Sequence, residues 1–271
     1  MTSIAKTSPG STAISRLFDR LRRDGQKALI GYLTAGDPSL ERTPSLVSAL
    51  VRGGVDLIEL GVPFSDPVAD GPVIQRASER ALRAGTTLRG VLATAAAIRR
   101  GSDVPLLLFT YLNPVLKYGV EALAKDAVSA GIDGVLLTDL SAEEAAPITE
   151  VMHRHGLDTV FLVAPTSPPR RQRLIAESSS GFVYLVSRTG VTGERESLSG
   201  AVAPLVAAMR QVTDLPLAVG FGISRPEQVR AVGAVADAVV VGSAFVRMIE
   251  RNASDAELEQ FARSLKDGLA L

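Results

Sequence analysis

The chain has 271 residues, of which 46% are hydrophobic and 21% charged, a globular balance at the usual size of one (β/α)8 barrel. Lys plus Arg and Asp plus Glu both count 29, so no net charge draws it to nucleic acid or to an anionic membrane. There is no cysteine, which excludes disulfides, thiolate nucleophiles and zinc–sulfur centres.

Residues 1–13 are Ser/Thr-rich with a single lysine and no apolar stretch of the kind a secretory signal carries, so a flexible tail is expected. No apolar run approaches membrane-spanning length, and the cytoplasm is the expected compartment. An amphipathic helix over 14–23 follows, placed to cap the bottom of whatever sheet comes next. From there, short β-branched runs alternate with Ala/Leu/Arg-rich amphipathic stretches. Strands are predicted at 28–33, 57–61, 105–110, 134–138, 159–163, 182–186, 217–220 and 238–241. Helices are predicted at 39–52, 88–100, 120–130, 142–155, 169–177, 200–212, 226–232 and 244–249, and a last surface helix at 255–269 with Ser254 or Asp255 as its cap.

Eight strand–helix units imply a parallel sheet, and unbroken apolar strands such as Val239-Val240-Val241 imply burial on both faces. An open doubly wound sheet of this size usually carries a dinucleotide fingerprint after its first strand. None is present, and Gly220-Phe221-Gly222 lacks the third glycine. The predicted fold is therefore α/β, a single (β/α)8 TIM barrel over 14–271 with an extra N-terminal helix.

In such a barrel the chemistry sits at the C-terminal ends of the strands. The second strand, Asp56-Leu57-Ile58-Glu59-Leu60-Gly61, puts Glu59 on the same face as Leu57. A carboxyl among apolar neighbours is desolvated and its pKa rises, as a general acid at neutral pH requires. The competing reading is a glutamate paired with a cation, but the strand ends offer none except Arg188, in a loop. The loop Val62–Pro72 is stiffened by Pro63 and Pro67 around Ser65-Asp66 and brings Asp70 to the rim. A solvated Asp70 would stay ionised at pH 7; read from the loop alone it is equally a plain turn former before Gly71-Pro72.

Gly220-Phe221-Gly222-Ile223-Ser224 after the seventh strand and Gly242-Ser243 after the eighth each lead into a helix, where backbone N–H groups commonly cradle phosphate in this fold. The run from Ser187 to Glu196, continuing to about 199, reads as a lid or as an ordinary long loop. His153 and His155 read as a solvated helix face rather than metal ligands. No strand ends in lysine or histidine, which argues against Schiff-base aldolases and metal-dependent barrels. The first and fifth strands carry no terminal acid, which argues against sugar-phosphate isomerases.

Along nearly its whole length the chain resembles the tryptophan synthase alpha-subunit family. The resemblance rests on Leu33-Thr34-Ala35-Gly36-Asp37-Pro38, on Glu59 through Pro72, on Tyr184 through Gly193, on Gly220 through Ser224 and on Gly242-Ser243. It implies a carbon–carbon lyase that splits indole-3-glycerol phosphate into indole and glyceraldehyde 3-phosphate without a cofactor. It further implies Glu59 as acid and base, Asp70 as the anion on the indole N–H, and Thr192 as a lid residue steadying Asp70. Tyr184 would stand beside Glu59, and Gly193, Gly222, Gly242 and Ser243 would hold phosphate. Tyr32, Phe109, Leu136 and Phe221 would form the slot for indole. No metal is implied. The implied partner is a pyridoxal-phosphate beta subunit in an alpha2beta2 heterotetramer, facing the 63–67 rim, the loop around Asn113-Pro114 and the 139–142 turn. Two positions depart from the family pattern: Phe182 replaces a common tyrosine, with loss of a hydroxyl contact, and Ser141-Ala142 replaces a common Pro-Pro. The alternatives are a stand-alone indole-releasing lyase, an inactive barrel that only activates a partner, and another phosphate-handling barrel such as an isomerase.

Overall fold

The computed structural model describes residues 12–186, 198–220 and 222–270. Its strands are β1 (Ala28–Thr34), β2 (Leu57–Gly61), β3 (Leu106–Thr110), β4 (Gly134–Leu137), β5 (Asp158–Val160), β6 (Leu162–Val163), β7 (Val183–Val186), β8 (Leu217–Gly220) and β9 (Ala238–Val241). All pair in parallel, in the order β5-β4-β3-β2-β1-β9-β8-β7-β6. The two ends of that order are consecutive in the chain. What sequence reads as one strand over 159–163 is interrupted at Phe161: its first half pairs with β4, its second with β7, and the barrel is carried round through that residue.

Twelve helices are described: α1 (Ala13–Arg23), α2 (Thr43–Arg52), α3 (Pro72–Arg83), α4 (Leu88–Arg99), α5 (Leu112–Tyr118), α6 (Val120–Ser129), α7 (Ala146–Arg154), α8 (Pro169–Ser178), α9 (Leu198–Arg210), α10 (Pro226–Gly233), α11 (Ser243–Glu250) and α12 (Asp255–Asp267). Two of them, α3 and α5, are absent from the sequence-based assignment. Helices α2 and α7 start four residues later than predicted, each with a proline in its first turn, where a ring that fixes φ and lacks an N–H fits best. Ser254 caps α12 in a reciprocal box with Glu257. None of the described helices is long and apolar enough to cross a membrane.

Period-two alternation divides the strand side chains into two sets. Outward residues such as Ile58 and Leu60 join the large core beneath the helices. Inward residues fill the barrel: Ile30, Leu57, Leu107, Leu136, Val160, Phe182, Ala218 and Val240 share one cluster with Ile14, Leu17, Phe18 and Leu21 of α1. Helix α1 thus stoppers the N-terminal end of the barrel, as predicted. Thr12 caps it, accepting from the Ser15 N–H at 3.0 Å and donating to Asp158 at 2.6 Å, so the helix begins one residue before the predicted Ile14. Phe182 packs on Phe18 with ring centroids 5.8 Å apart in this bottom layer. The hydroxyl contact that Phe182 forgoes would therefore lie in this bottom layer.

Candidate active site

One step up each strand from that apolar plug the inward residues change character. Above Leu57 stands Glu59, above Ile30 Tyr32, above Leu107 Phe109, above Leu136 Thr138, and above Phe182 Tyr184. With Leu162, Val186 and Val240 they line an open-mouthed cavity of about 250 Å3 at the C-terminal face. Asp70, Gly71 and Ile74 close one side, and Gly222, Gly242 and Ser243 the other.

Two glycines make this layer possible. A Cβ on Gly61 would lie 2.3 Å from the Tyr32 hydroxyl, and one on Gly220 would lie 2.0 Å from the Tyr184 hydroxyl. Each tyrosine therefore leans over the next inward position of a neighbouring strand, which must carry no side chain. Tyr32 also meets Phe109 edge to face at 5.2 Å, the preferred geometry for paired rings.

Glu59 is 1% exposed. Its Oε1 has no hydrogen-bond partner among the described residues. Burial alone pushes its pKa from the ordinary 4.5 up to about 8, because the charged form has lost water and gained nothing in return. At neutral pH this side chain is an uncharged acid.

Asp70 is half-buried rather than fully solvated. Burial raises its pKa to about 6, opposed by a hydrogen bond from the Tyr111 hydroxyl to Oδ2 at 3.0 Å. The phenol oxygen in turn accepts the Ala69 N–H at 3.1 Å, and Gln75 Nε2 holds the Asp70 carbonyl at 2.8 Å. Asp70 is thus an oriented anion at pH 7, though closer to titration than a rim aspartate in water. Tyr111, buried and stacked near Phe64 at 5.0 Å, is a residue that sequence reasoning missed. Nothing in its local sequence signals a contact made 41 residues away.

The opposite wall is backbone. Gly242 caps α11, and Ser243 is its first residue, so the helix presents free N–H groups and the positive end of its dipole to the cavity. Gly222 has φ +76, a conformation that favours glycine, and leads toward α10.

Of the predicted site residues, the structure brings Glu59, Asp70, Tyr32, Phe109, Tyr184, Gly222, Gly242 and Ser243 to one cavity. Leu136 does not line it. Its side chain is fully buried in the apolar layer beneath, and Thr138, two residues on along the same face, takes the lining position. Thr192, Gly193, Phe221 and the 187–197 part of the predicted lid lie outside the described residues. Thr138, Ile74, Leu162, Val186 and Val240 line the cavity without having been singled out. Among the described residues no group of His, Asp and Glu is gathered as metal ligands would be. His155 faces Glu121 at 2.7 Å and His153 faces Thr159 at 2.9 Å.

Comparison with known proteins gives a consistent picture. The family model described as tryptophan synthase alpha chain matches residues 18–268. The tryptophan synthase alpha chain of Solibacter usitatus is 68% identical over 261 residues, covering 95% of this chain and 98% of that one. The alpha chain of Methanosarcina acetivorans is 49% identical over 270 residues, covering 99% and 98%. Among solved structures, tryptophan synthase of M. tuberculosis superposes with a TM-score of 0.89 at 39% identity, covering 96% of this chain and 99% of that one.

Proposed function

Because the chain belongs to the tryptophan synthase alpha chain family, lyases that cleave indole-3-glycerol phosphate, we propose that Glu59 and Asp70 are the pair that performs the cleavage here. The observation that carries the assignment is the contrast between them. One carboxyl is buried, with no partner for Oε1 among the described residues, and neutral at pH 7; the other is oriented by Tyr111 and ionised. Such a split lets one site hold an acid and an anion together.

The proposed sequence of proton movements balances within the substrate. Neutral Glu59 gives its proton to C3 of the indole ring, which becomes an indolenine with positive charge on its nitrogen. Asp70 accepts a hydrogen bond from that N–H, and its charge stabilises the cation. Glu59, now a carboxylate, takes the proton of the side-chain hydroxyl adjacent to C3. The C–C bond breaks, its electron pair restores the aromatic ring, and the hydroxyl carbon leaves as an aldehyde. Glu59 ends as it began. The phosphate is assigned to the N-terminus of α11 at Gly242 and Ser243 and to the backbone of Gly222, where N–H groups and the helix dipole supply the attraction without a lysine. Tyr32, Phe109 and Tyr184 make the apolar walls for the ring. The reaction as written draws on no cofactor.

The partner assigned to the chain is a beta subunit that receives the indole, a reading supported by the family name and by the likeness to a solved tryptophan synthase. Exposed Val68 and Leu116, 84% and 56% accessible, lie on the rim and on α5 near the surfaces assigned to it. The test is to incubate the purified chain with indole-3-glycerol phosphate, alone and with a beta subunit, and assay indole and glyceraldehyde 3-phosphate. Equimolar release, increased by the beta subunit, is the expected result. No indole in either condition removes the reading, and release unaffected by a beta subunit favours a stand-alone lyase.

A further inference from the structure

Helix α3 begins two residues after Asp70, and the side chains it buries fully are small, with Val73 and Ile74 of its first turn packed partly buried beside them. Its fully buried residues are Ala77, Ser78 and Ala81. They offer few atoms for dispersion and little area for burial. Beside that packing runs a chain of charges. Arg80 forks both oxygens of Asp37, at 2.8 and 2.7 Å, in the turn after β1. The Asp37 side chain is only 3% exposed. The remaining arm of Arg80 reaches Glu250 at 2.9 Å, on the last turn of α11. One turn back on α3, Arg76 forks the same Glu250 at 2.9 and 3.2 Å. Beneath these pairs, Ala77 of α3, Val246 of α11 and Tyr32 of β1 meet in one small buried cluster.

The network ties together the two helices whose opposite ends face the cavity. The start of α3 carries Asp70; the start of α11 carries Gly242 and Ser243. We propose that Arg80 and Glu250 are positioning residues that fix the spacing between Asp70 and the α11 N-terminus. The substrate's ring and phosphate then fall at the correct separation over Glu59. The inference rests on the lyase reading above, in which those two ends hold the two ends of one substrate. Neither residue touches the cavity, so each acts through the helices it joins. Arg–carboxylate forks suit this task because they fix orientation as well as distance, and reaction rates are sensitive to displacements of about 1 Å.

The test uses Glu250→Ala, which cuts the α3–α11 link and leaves buried Asp37 paired with Arg80. Arg80→Lys supplies a single-point cation in place of the fork. In Glu250→Ala, kcat/KM for indole-3-glycerol phosphate is expected to fall roughly 10-fold or more, chiefly in kcat. Indole alone and glycerol 3-phosphate alone, which need no correct spacing, are expected to bind within about twofold of their wild-type Kd. Arg80→Lys is expected to fall between wild type and Glu250→Ala. Amide hydrogen exchange over residues 72–76 should quicken several-fold in Glu250→Ala while that of β2 stays unchanged. An unchanged kcat/KM, or fragments weakened in parallel with the whole substrate, overturns the proposal. If the wild-type chain released no indole, the lyase reading would fail by itself; exchange over 72–76 would still decide the structural link, and unchanged exchange overturns it.

Discussion

Tyr32 and Glu59 stand opposite each other in the β1–β2 register, yet the tyrosine hydroxyl lies against Thr34 at 3.2 Å and Glu59 Oε1 is left without a partner among the described residues. A buried carboxyl beside a hydroxyl that serves another group is costly to the fold, and the cost has a measurable pH signature.

That signature concerns stability. Between pH 4.5 and about 8, Glu59 is protonated in the folded chain and ionised in the unfolded one. Folding takes up a proton across that window, so its contribution to stability falls by about 1.4 kcal/mol per pH unit and levels off above pH 8. Glu59→Gln removes this slope. At pH 7 the variant should be more stable than wild type by roughly 3 kcal/mol, read from urea midpoints between pH 5 and 9. Parallel curves for the two proteins would mean that Glu59 is ordinary.

The rate should follow the same two groups. The proposed mechanism needs Asp70 ionised and Glu59 protonated, so kcat/KM is expected to rise with pH through about 6 and to fall through about 8. The limbs belong to the free chain, so they appear in kcat/KM. A profile flat from pH 5 to 9 would contradict both assignments.

Tyr111 supplies the hydrogen bond that opposes the upward shift of Asp70. In Tyr111→Phe the acidic limb is expected to move to higher pH. At pH 7, kcat/KM is expected to fall about 10-fold, in keeping with a lost hydrogen bond to a charged group. The alkaline limb, set by Glu59, should stay where it is. An unmoved acidic limb would show that the phenol does not orient the aspartate.

Sequence was most informative where period and chemistry coincide. Leu57, Glu59 and Gly61 alternate with Ile58 and Leu60, and that alone placed one acid inside the barrel above an apolar layer. It was less informative where tertiary geometry decides. Leu136 and Thr138 share a face, and only the height of the apolar plug, which includes α1, determines which of them lines the cavity. Helix α3 has no counterpart in the sequence-based assignment: its proline start follows a proline-rich rim, and its fully buried residues are two alanines and a serine, too weak an apolar stripe to announce a helix. The pause at Phe161 is invisible because both halves of that strand are equally apolar and differ only in their neighbours. Tyr111 and Arg80 find partners 41 and 43 residues away, in Asp70 and Asp37, across separate barrel units.

The central claim is that one uncharged, buried carboxylic acid passes a proton to the ring carbon and recovers it from the hydroxyl. Single-turnover cleavage of indole-3-glycerol phosphate by Glu59→Gln measures this most directly, alongside the affinity of the same protein for glycerol 3-phosphate. Glutamine keeps the size and cannot move the proton. Release of indole is expected to drop by about 1,000-fold or more, with phosphate affinity retained. Cleavage near the wild-type rate would contradict the account.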